Sequence, residues 1–334
     1  MSDLILWIEI REEPVRLDIA ILKEVTRMDF ALSRAVLKTH FQNQEILVAR
    51  MDSPSVSESS SLYPSPPKPS TLLTPGRYRV TCRISSIPPS LQRAQPHPQG
   101  CFLPLVYEDK DLLVLHKDHQ TPSIPHSAME THTAMNAALA HFPAFSGIGP
   151  KPLEPGLLHR LDTGTSGLLI FAKNLEEFER LRREWKSPGL KKYYRAIIEK
   201  TNPLPKVPFS LDFYLGHDAK SSKKMLAFPA GQTPRRIRGA PLRALTQVLS
   251  EKKLTHTKTS RGPLFDLELR IDTGIMHQIR CQLSAIGWPI WGDTLYRGSP
   301  APRFWLHAWR LEIPLRRGSL LKLEAQLPSD WPQD

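Results

Sequence analysis

The sequence predicts an α+β protein of two domains, and three observations carry that prediction. Strand-like and helix-like segments follow one another irregularly after residue 101, without the regular alternation of a doubly wound sheet. A chain of 334 residues suits about two domains. Two stretches rich in Ser and Pro interrupt the first third of the chain. Residues 53–70, "SPSVSESSSLYPSPPKPS", hold too few apolar side chains to bury a core and read as an insertion. Residues 85–100, "SSIPPSLQRAQPHPQG", read as a linker between a small region at 1–84 and a larger domain at 101–334.

In the small region, "LDIAILKEV" and "ALSRAVLKTHF" have helical spacing, and "GRYRVTCRI" alternates as a strand through Tyr78, Val80 and Cys82. In the larger domain, "LPLVYEDKDLLVLHK" predicts two short strands joined by a turn at residues 108–110. "SGLLIFAKN" is apolar enough for a buried strand. A helix should follow, opened by a capping-box-like pair, Asn174 and Glu177, with an apolar face of Leu175, Phe178, Leu181 and Trp185. In "LFDLELRID", Phe265, Leu267, Leu269 and Ile271 alternate with charged residues, as in a strand with one buried face. "HQIRCQLSAIG" reads as a short helix ended by Gly287. No internal repeat is evident.

Hydrophobic content of 40% and charged content of 23% are those of an ordinary globular chain. The net charge of +12 is not ordinary and points to a polyanionic partner. Residues 220–261 contain eleven Lys or Arg and one acid, Glu251, an excess of ten. A solvated loop is the bland explanation of such a run. Concentration of the excess in one segment favours a phosphate backbone, which rewards clustered cations by counterion release and which Arg235, Arg236 and Arg238 can grip in bidentate fashion. An anionic membrane surface fits less well, because the segment has no amphipathic helix rich in bulky apolar residues. Cys82, Cys101 and Cys281 lack metal-ligand spacing, and His116, His119, His126 and His132 with Glu130 form no compact set, so no metal site is expected. "MSDLILWIEI" lacks the basic leader of a signal peptide and no apolar run reaches the length of a membrane span, so the expected location is the cytoplasm.

The segment most suggestive of chemistry is residues 158–171, "LHRLDTGTSGLLIF", where Asp162 sits two residues after Arg160 on a turn that runs into an apolar strand. Taken singly, Asp162 reads as a turn residue bonded to nearby amides, Arg280 as a surface helix residue, and Tyr194 as a strand aromatic. Taken in order, they carry a resemblance. "HRLDTGTSGLLIFAKN" resembles the central motif of the RluA-type RNA pseudouridine synthases. "LVYEDKDLLVLHK" is similar to that family's opening strand pair, and "LKKYYRAII" matches its Lys-x-Tyr-x-Ala pattern through Lys192, Tyr194 and Ala196. "TGIMHQIRCQLSAIGWPIWGDTLY" resembles the His-Gln-Ile-Arg helix and following Gly-Asp turn, and "LHAWRLEIP" the closing strand. The resemblance covers most of residues 101–328. Residues of roughly 13–84 are similar to the alpha-L RNA-binding module of some ribosomal proteins, interrupted by the Ser/Pro insertion. The chain departs from the pattern at Ile275-Met276, where the family has Arg-Thr, and at Asp118, where it has Pro.

The resemblance implies a pseudouridine synthase domain with a mixed, largely antiparallel central sheet, behind a small alpha-L-like module. It implies isomerisation of uridines in structured RNA, with rRNA favoured over tRNA, by a monomer that needs no cofactor, metal or membrane. Asp162 would supply the carboxylate, acting at C1′ or through a glycal. Arg280 would pair with it and keep it ionised. Tyr194 would stack on the base and serve the later proton transfer at C5. Arg160 would fill the space left by the flipped nucleotide. A non-catalytic RNA-binding or ribosome-assembly factor that keeps the fold is the alternative from another class.

Overall fold

A computed structural model describes residues 4–27, 34–51, 67–82, 93–185, 189–200, 202–203, 205–232, 234, 236–259, 262–316 and 318–332. The chain divides into two compact units, residues 1–93 and 94–334.

The smaller unit is a three-stranded antiparallel sheet in the order β1–β5–β3, from β1 (Leu4–Ile10), β3 (Ile46–Arg50) and β5 (Gly76–Cys82). One face packs on α1 (Leu17–Arg27) and α2 (Arg34–Gln42) through Leu6, Ile8, Val48, Tyr78 and Val80. β1, unassigned in the sequence reading, forms because Leu6, Ile8 and Ile10 alternate inward against outward-facing Trp7 and Glu9. A two-residue pair, β2 (Val15–Arg16) with β4 (Leu72–Leu73), closes the start of α1. There the amides of Leu17 and Asp18 donate to the carbonyls of Thr71 and Pro69, which satisfies N–H groups that a helix start leaves unpaired. Most of the Ser/Pro insertion, residues 53–66, lies outside the described residues, but its last part supplies the Pro69 carbonyl that accepts from Asp18.

The larger unit is built on a ten-stranded sheet in the order β11–β10–β12–β13–β9–β14–β8–β7–β6, with β15 also beside β14. Its strands are β6 (Leu105–Glu108), β7 (Leu112–Lys117), β8 (Ser166–Ala172), β9 (Lys191–Glu199), β10 (Phe209–Asp218), β11 (Met225–Phe228), β12 (Ile237–Thr259), β13 (Gly262–Ile271), β14 (Leu306–Pro314) and β15 (Leu320–Glu324). Every pairing is antiparallel except β14 with β8, where His307 and Ala308 lie beside Ser166 and Gly167. With α3 (Ala134–His141), α4 (Leu175–Glu184) and α5 (Gln278–Ala285), this is the mixed, largely antiparallel α+β architecture expected. β8 is buried at every residue and belongs to the main core with β7, α3 and Phe145.

Three local expectations need correction, and one alternative already disfavoured is excluded. Residues 94–100, read as linker, are folded onto the larger unit: Ala94 N–H donates to Pro152 O, His97 N–H to Asn136 O, and Asn136 Nδ2 to Gln95 O. Asn136 is buried in the capping box of α3, so this Pro-rich strand is held by a polar anchor that composition does not reveal. At α4, Asn174 does cap the Glu177 amide, but Glu177 turns its carboxylate to Arg180 and Arg316 instead of back to the cap. Leu175, assigned to the apolar face, is exposed, while Phe178 and Leu181 are buried as expected. The basic segment is no solvated loop: much of it is β11 and the long β12, laid against β10 and β13.

Two glycines of the "DTGTSG" stretch are required by packing. A side chain on Gly164 would meet the ring of Phe304 at 2.2 Å. Gly167 has φ +118°, and a Cβ there would lie 2.1 Å from the carbonyl oxygen of Ala308, so only glycine allows β8 to approach β14 this closely.

Candidate active site

The turn before β8 is gripped on both sides of Asp162. Ser123 Oγ donates to Leu161 O at 2.6 Å and accepts from Leu161 N–H at 2.9 Å. On the other side, fully buried Lys117, at the end of β7, donates to the carbonyls of Thr163, Thr121 and Asp118 at 2.7–2.9 Å. Burial draws the Lys117 amine down to about 7, against the pull of Asp118 and Asp162. Three carbonyl acceptors call for three N–H donors, and that geometry favours the ammonium form. The turn itself closes through the backbone, Thr165 N–H to Asp162 O at 2.9 Å. The Asp162 side chain is therefore not the group that makes the turn.

That side chain instead meets α5. Arg280 Nη1 donates to Asp162 Oδ2 at 2.7 Å. The same guanidinium forks onto Asp293, Nε to Oδ2 at 2.7 Å and Nη2 to Oδ1 at 2.9 Å. Arg280 also lies over the rings of Tyr296 and Phe304, at 5.1 and 4.7 Å. Burial works against its charge, but the hydrogen bonds and negative charges of Asp293 and Asp162 outweigh it, and the group stays protonated well beyond its ordinary range. Asp293 is 2% exposed and Asp162 is 28% exposed, so one carboxylate is sealed in and the other opens to solvent.

Asp162 lines a cleft of about 940 Å³ in the larger unit, and Asp293 is not among the residues lining it. Tyr194, on β9, lines it and is buried; burial first, and then the negative charge of Asp162, push its hydroxyl above the ordinary phenol range. Tyr194 is thus a neutral phenol at neutral pH. His159 stacks on Trp185 beside the cleft, with ring centroids 4.6 Å apart. Burial, and then Lys192, lower its imidazole to about 3, so that it too is neutral. Arg160 stands at the edge, 56% exposed and 3.6 Å from Glu154. Lys151, Arg160, Arg182 and Lys223 are exposed, line the same cleft and make its rim cationic. Met276, half of the Ile275-Met276 departure, lines it with an exposed apolar side chain.

The structure therefore brings Asp162, Tyr194, Arg280 and Arg160 to one cleft. Arg235 lies outside the described residues; Arg236 and Arg238 are exposed at the start of β12, and Arg236 pairs with buried Asp218 at 2.9 Å. They are not among the residues lining this cleft. Sequence reasoning passed over Asp293, His277 and Lys117. All three stood in quoted segments, but nothing local distinguishes a Gly-Asp turn, a helix-start histidine or a strand-end lysine from their ordinary uses.

Comparison with known proteins matches residues 111–285 to the family model described as RNA pseudouridylate synthase. The chain is 30% identical over 285 residues to ribosomal large subunit pseudouridine synthase D of Neisseria meningitidis serogroup A, covering 80% of this chain and 68% of that protein. Against the serogroup B protein of the same name it is 29% identical over 263 residues, covering 73% of this chain but 63% of the relative. The chain thus spans about two thirds of the length of these relatives. Among solved structures, human RNA pseudouridylate synthase domain containing 1 superposes with a TM-score of 0.53 at 24% identity, over 68% of this chain and 84% of that one. At that identity the likeness speaks to the fold.

Proposed function

Because this chain belongs to the RNA pseudouridylate synthase family and is thus an RNA-modifying isomerase, we propose that it converts uridines of large-subunit ribosomal RNA to pseudouridine through the carboxylate of Asp162. The observation that carries the reading is the state of that carboxylate. It is aimed by Arg280, left free of any role in its own turn, and open to a cationic cleft large enough for a nucleotide.

The reaction breaks the bond from ribose C1′ to N1 of uracil and joins C1′ to C5, with the C5 proton lost and N1 protonated in its place, so that the product is an isomer of the substrate. The carboxylate acts at C1′ or assists glycal formation, and both routes need an anion held in place. Arg280 and Asp293 supply that hold without motion, because a buried bidentate pair fixes the guanidinium before substrate arrives. Tyr194, a protonated phenol beside Asp162, offers a ring for the base to stack on and a hydroxyl that donates. Arg160, exposed at the edge, would enter the stack from which the target base is drawn, a reading its exposure supports. The rRNA substrate follows from the relatives, which are named for the large ribosomal subunit.

The test is tritium release from rRNA transcripts labelled at uridine C5, run beside a binding titration. Wild type should release tritium, and Asp162→Asn should bind the same RNA with its turnover gone, since an amide cannot perform the carboxylate's step. Comparable turnover in Asp162→Asn, or an inactive wild type on every cellular RNA offered, would sink the reading and leave an RNA-binding protein.

A further inference from the structure

A line of polar groups runs from the sheet to the Asp162 carboxylate and passes through His277. The Met225 amide, at the start of β11, donates to the Tyr296 hydroxyl oxygen at 2.8 Å. That oxygen lies 2.9 Å from His277 Nδ1. On the other side of the ring, His277 Nε2 is 3.6 Å from Asp162 Oδ2, the same oxygen that accepts from Arg280.

The direction of this line follows from Asp162, an acceptor that favours a proton on the facing Nε2 and so leaves Nδ1 to accept. A tyrosine hydroxyl has one proton. Its oxygen already accepts from the Met225 amide, so that proton is available to His277 Nδ1. A nitrogen that accepts carries no proton, and a neutral imidazole then holds its proton on Nε2, facing Asp162. Burial, the leading influence, lowers the basicity of His277, as does Arg280, against the pull of Asp162 and Asp293. A neutral ring agrees with the hydrogen bonding.

The backbone argues against a merely structural role. His277 immediately precedes α5, where a polar side chain commonly caps the helix, yet its side chain makes no capping bond. Its backbone is left-handed, with φ 54°, which is uncommon for a residue other than glycine and persists where surrounding contacts demand it. The ring stands edge-on to Tyr296, at 90° and 5.5 Å between centroids.

We propose that His277 is a positioning residue for Asp162: its Nε2–H, in a tautomer set by Tyr296, is the second donor to Oδ2, and with Arg280 it turns Oδ1 toward the ribose. At 3.6 Å the contact is longer than a hydrogen bond, and it closes when a nucleotide fills the cleft, as catalytic contacts commonly tighten on substrate binding. A neutral donor suits the place. A second full cation on the same oxygen would hold the carboxylate too tightly for it to react.

The inference rests on Asp162 being the reacting carboxylate, so its test has one arm that does not depend on activity. In ¹⁵N spectra of the full-length, histidine-labelled protein at neutral pH, the His277 signals are those lost in His277→Gln. They should report a neutral ring protonated at Nε2, and Tyr296→Phe should convert them to a tautomer mixture. A wild-type ring protonated at Nδ1, or charged, overturns the proposal. The kinetic arm uses single turnover on the C5-labelled rRNA transcript. His277→Asn suits the left-handed backbone but places its amide only as far out as Nδ1, so the rate should fall about a hundredfold, as for a misaimed group, with RNA affinity unchanged. His277→Gln reaches the Nε2 position and should recover most of that loss. An Asn variant within twofold of wild type, or a Gln variant no faster than Asn, overturns the proposal. Turnover by Asp162→Asn would instead mark failure of the underlying assignment, and the tautomer would still be read.

Discussion

Arg280 serves two carboxylates of different exposure, and under the proposed function the buried one is scaffold and the open one reagent. Asp293 takes two of its N–H groups in a buried fork, while Asp162 takes one and keeps solvent on its open side. Removing a buried partner strands a charge, which costs about 3–5 kcal/mol. Removing the charge of a part-exposed residue that keeps hydrogen-bonding capacity costs about 1 kcal/mol or less. Asp293→Ala should therefore lower the urea midpoint strongly and activity with it, whereas Asp162→Asn should unfold close to wild type while losing turnover. Equal midpoints for the two variants would show that the fork onto Asp293 is not what secures Arg280. Nor is Arg280 replaceable by Lys, since one ammonium cannot reproduce a planar fork that also reaches a second carboxylate.

At the scale of elements, the sheet explains why the site is rigid and why, of the basic segment, Lys223 reaches the cleft while Arg236 and Arg238 do not. Asp162 precedes β8 and Tyr194 lies on β9, and both strands border β14, where Gly167 permits the close approach of β8. β12 extends the sheet on the far side of β13, and Arg236 and Arg238 stand exposed at its start. The strand presents these cations in a fixed row, which suits a phosphate backbone better than a loop would, because less conformational freedom is lost on binding. Replacing Arg235, Arg236 and Arg238 together by Ala should weaken RNA binding regardless of sequence, and should reduce the salt slope by about 1 for each phosphate contact removed. The measurement is affinity against salt concentration for the full chain. An unchanged slope removes this end of β12 from the RNA footprint.

For the whole molecule, the division at residues 93 and 94 decides how the parts can be separated. The matched family region, residues 111–285, lies within the larger unit, as does every residue assigned to the cleft. A chain beginning at Arg93 should fold and keep its chemistry on a short RNA while binding long rRNA less tightly. A chain beginning at Cys101 loses three hydrogen bonds made by the backbone of Ala94, Gln95 and His97, beside the side-chain contact of His97 with His132. At about 1 kcal/mol each, that loss should lower its melting temperature by roughly 6–12 °C relative to the longer form. Melting of the two forms at the same temperature would show that residues 94–100 act as a plain linker.

The linear sequence by itself determined the α+β class and most elements of the larger unit, because alternation and helical spacing are properties of neighbours along the chain, and the family resemblance of its motifs singled out Asp162, Tyr194 and Arg280, which line one cleft. β1 escaped it only because its alternation lies in a short apolar run at the terminus. Which groups touch was decided by tertiary structure alone. Arg280 and Asp162 are 118 positions apart, and Lys117 and Thr163 are 46 apart. Each pair meets through the docking of separate elements, and no local pattern encodes that meeting. The same holds for Asp293 and His277: both stand in the motif as ordinary turn and helix-start residues, and only the folded positions of α5 and of the turn at Asp293 give one a guanidinium and the other a carboxylate to face. A spacing rule describes one strand or helix, whereas a site is made where several of them converge.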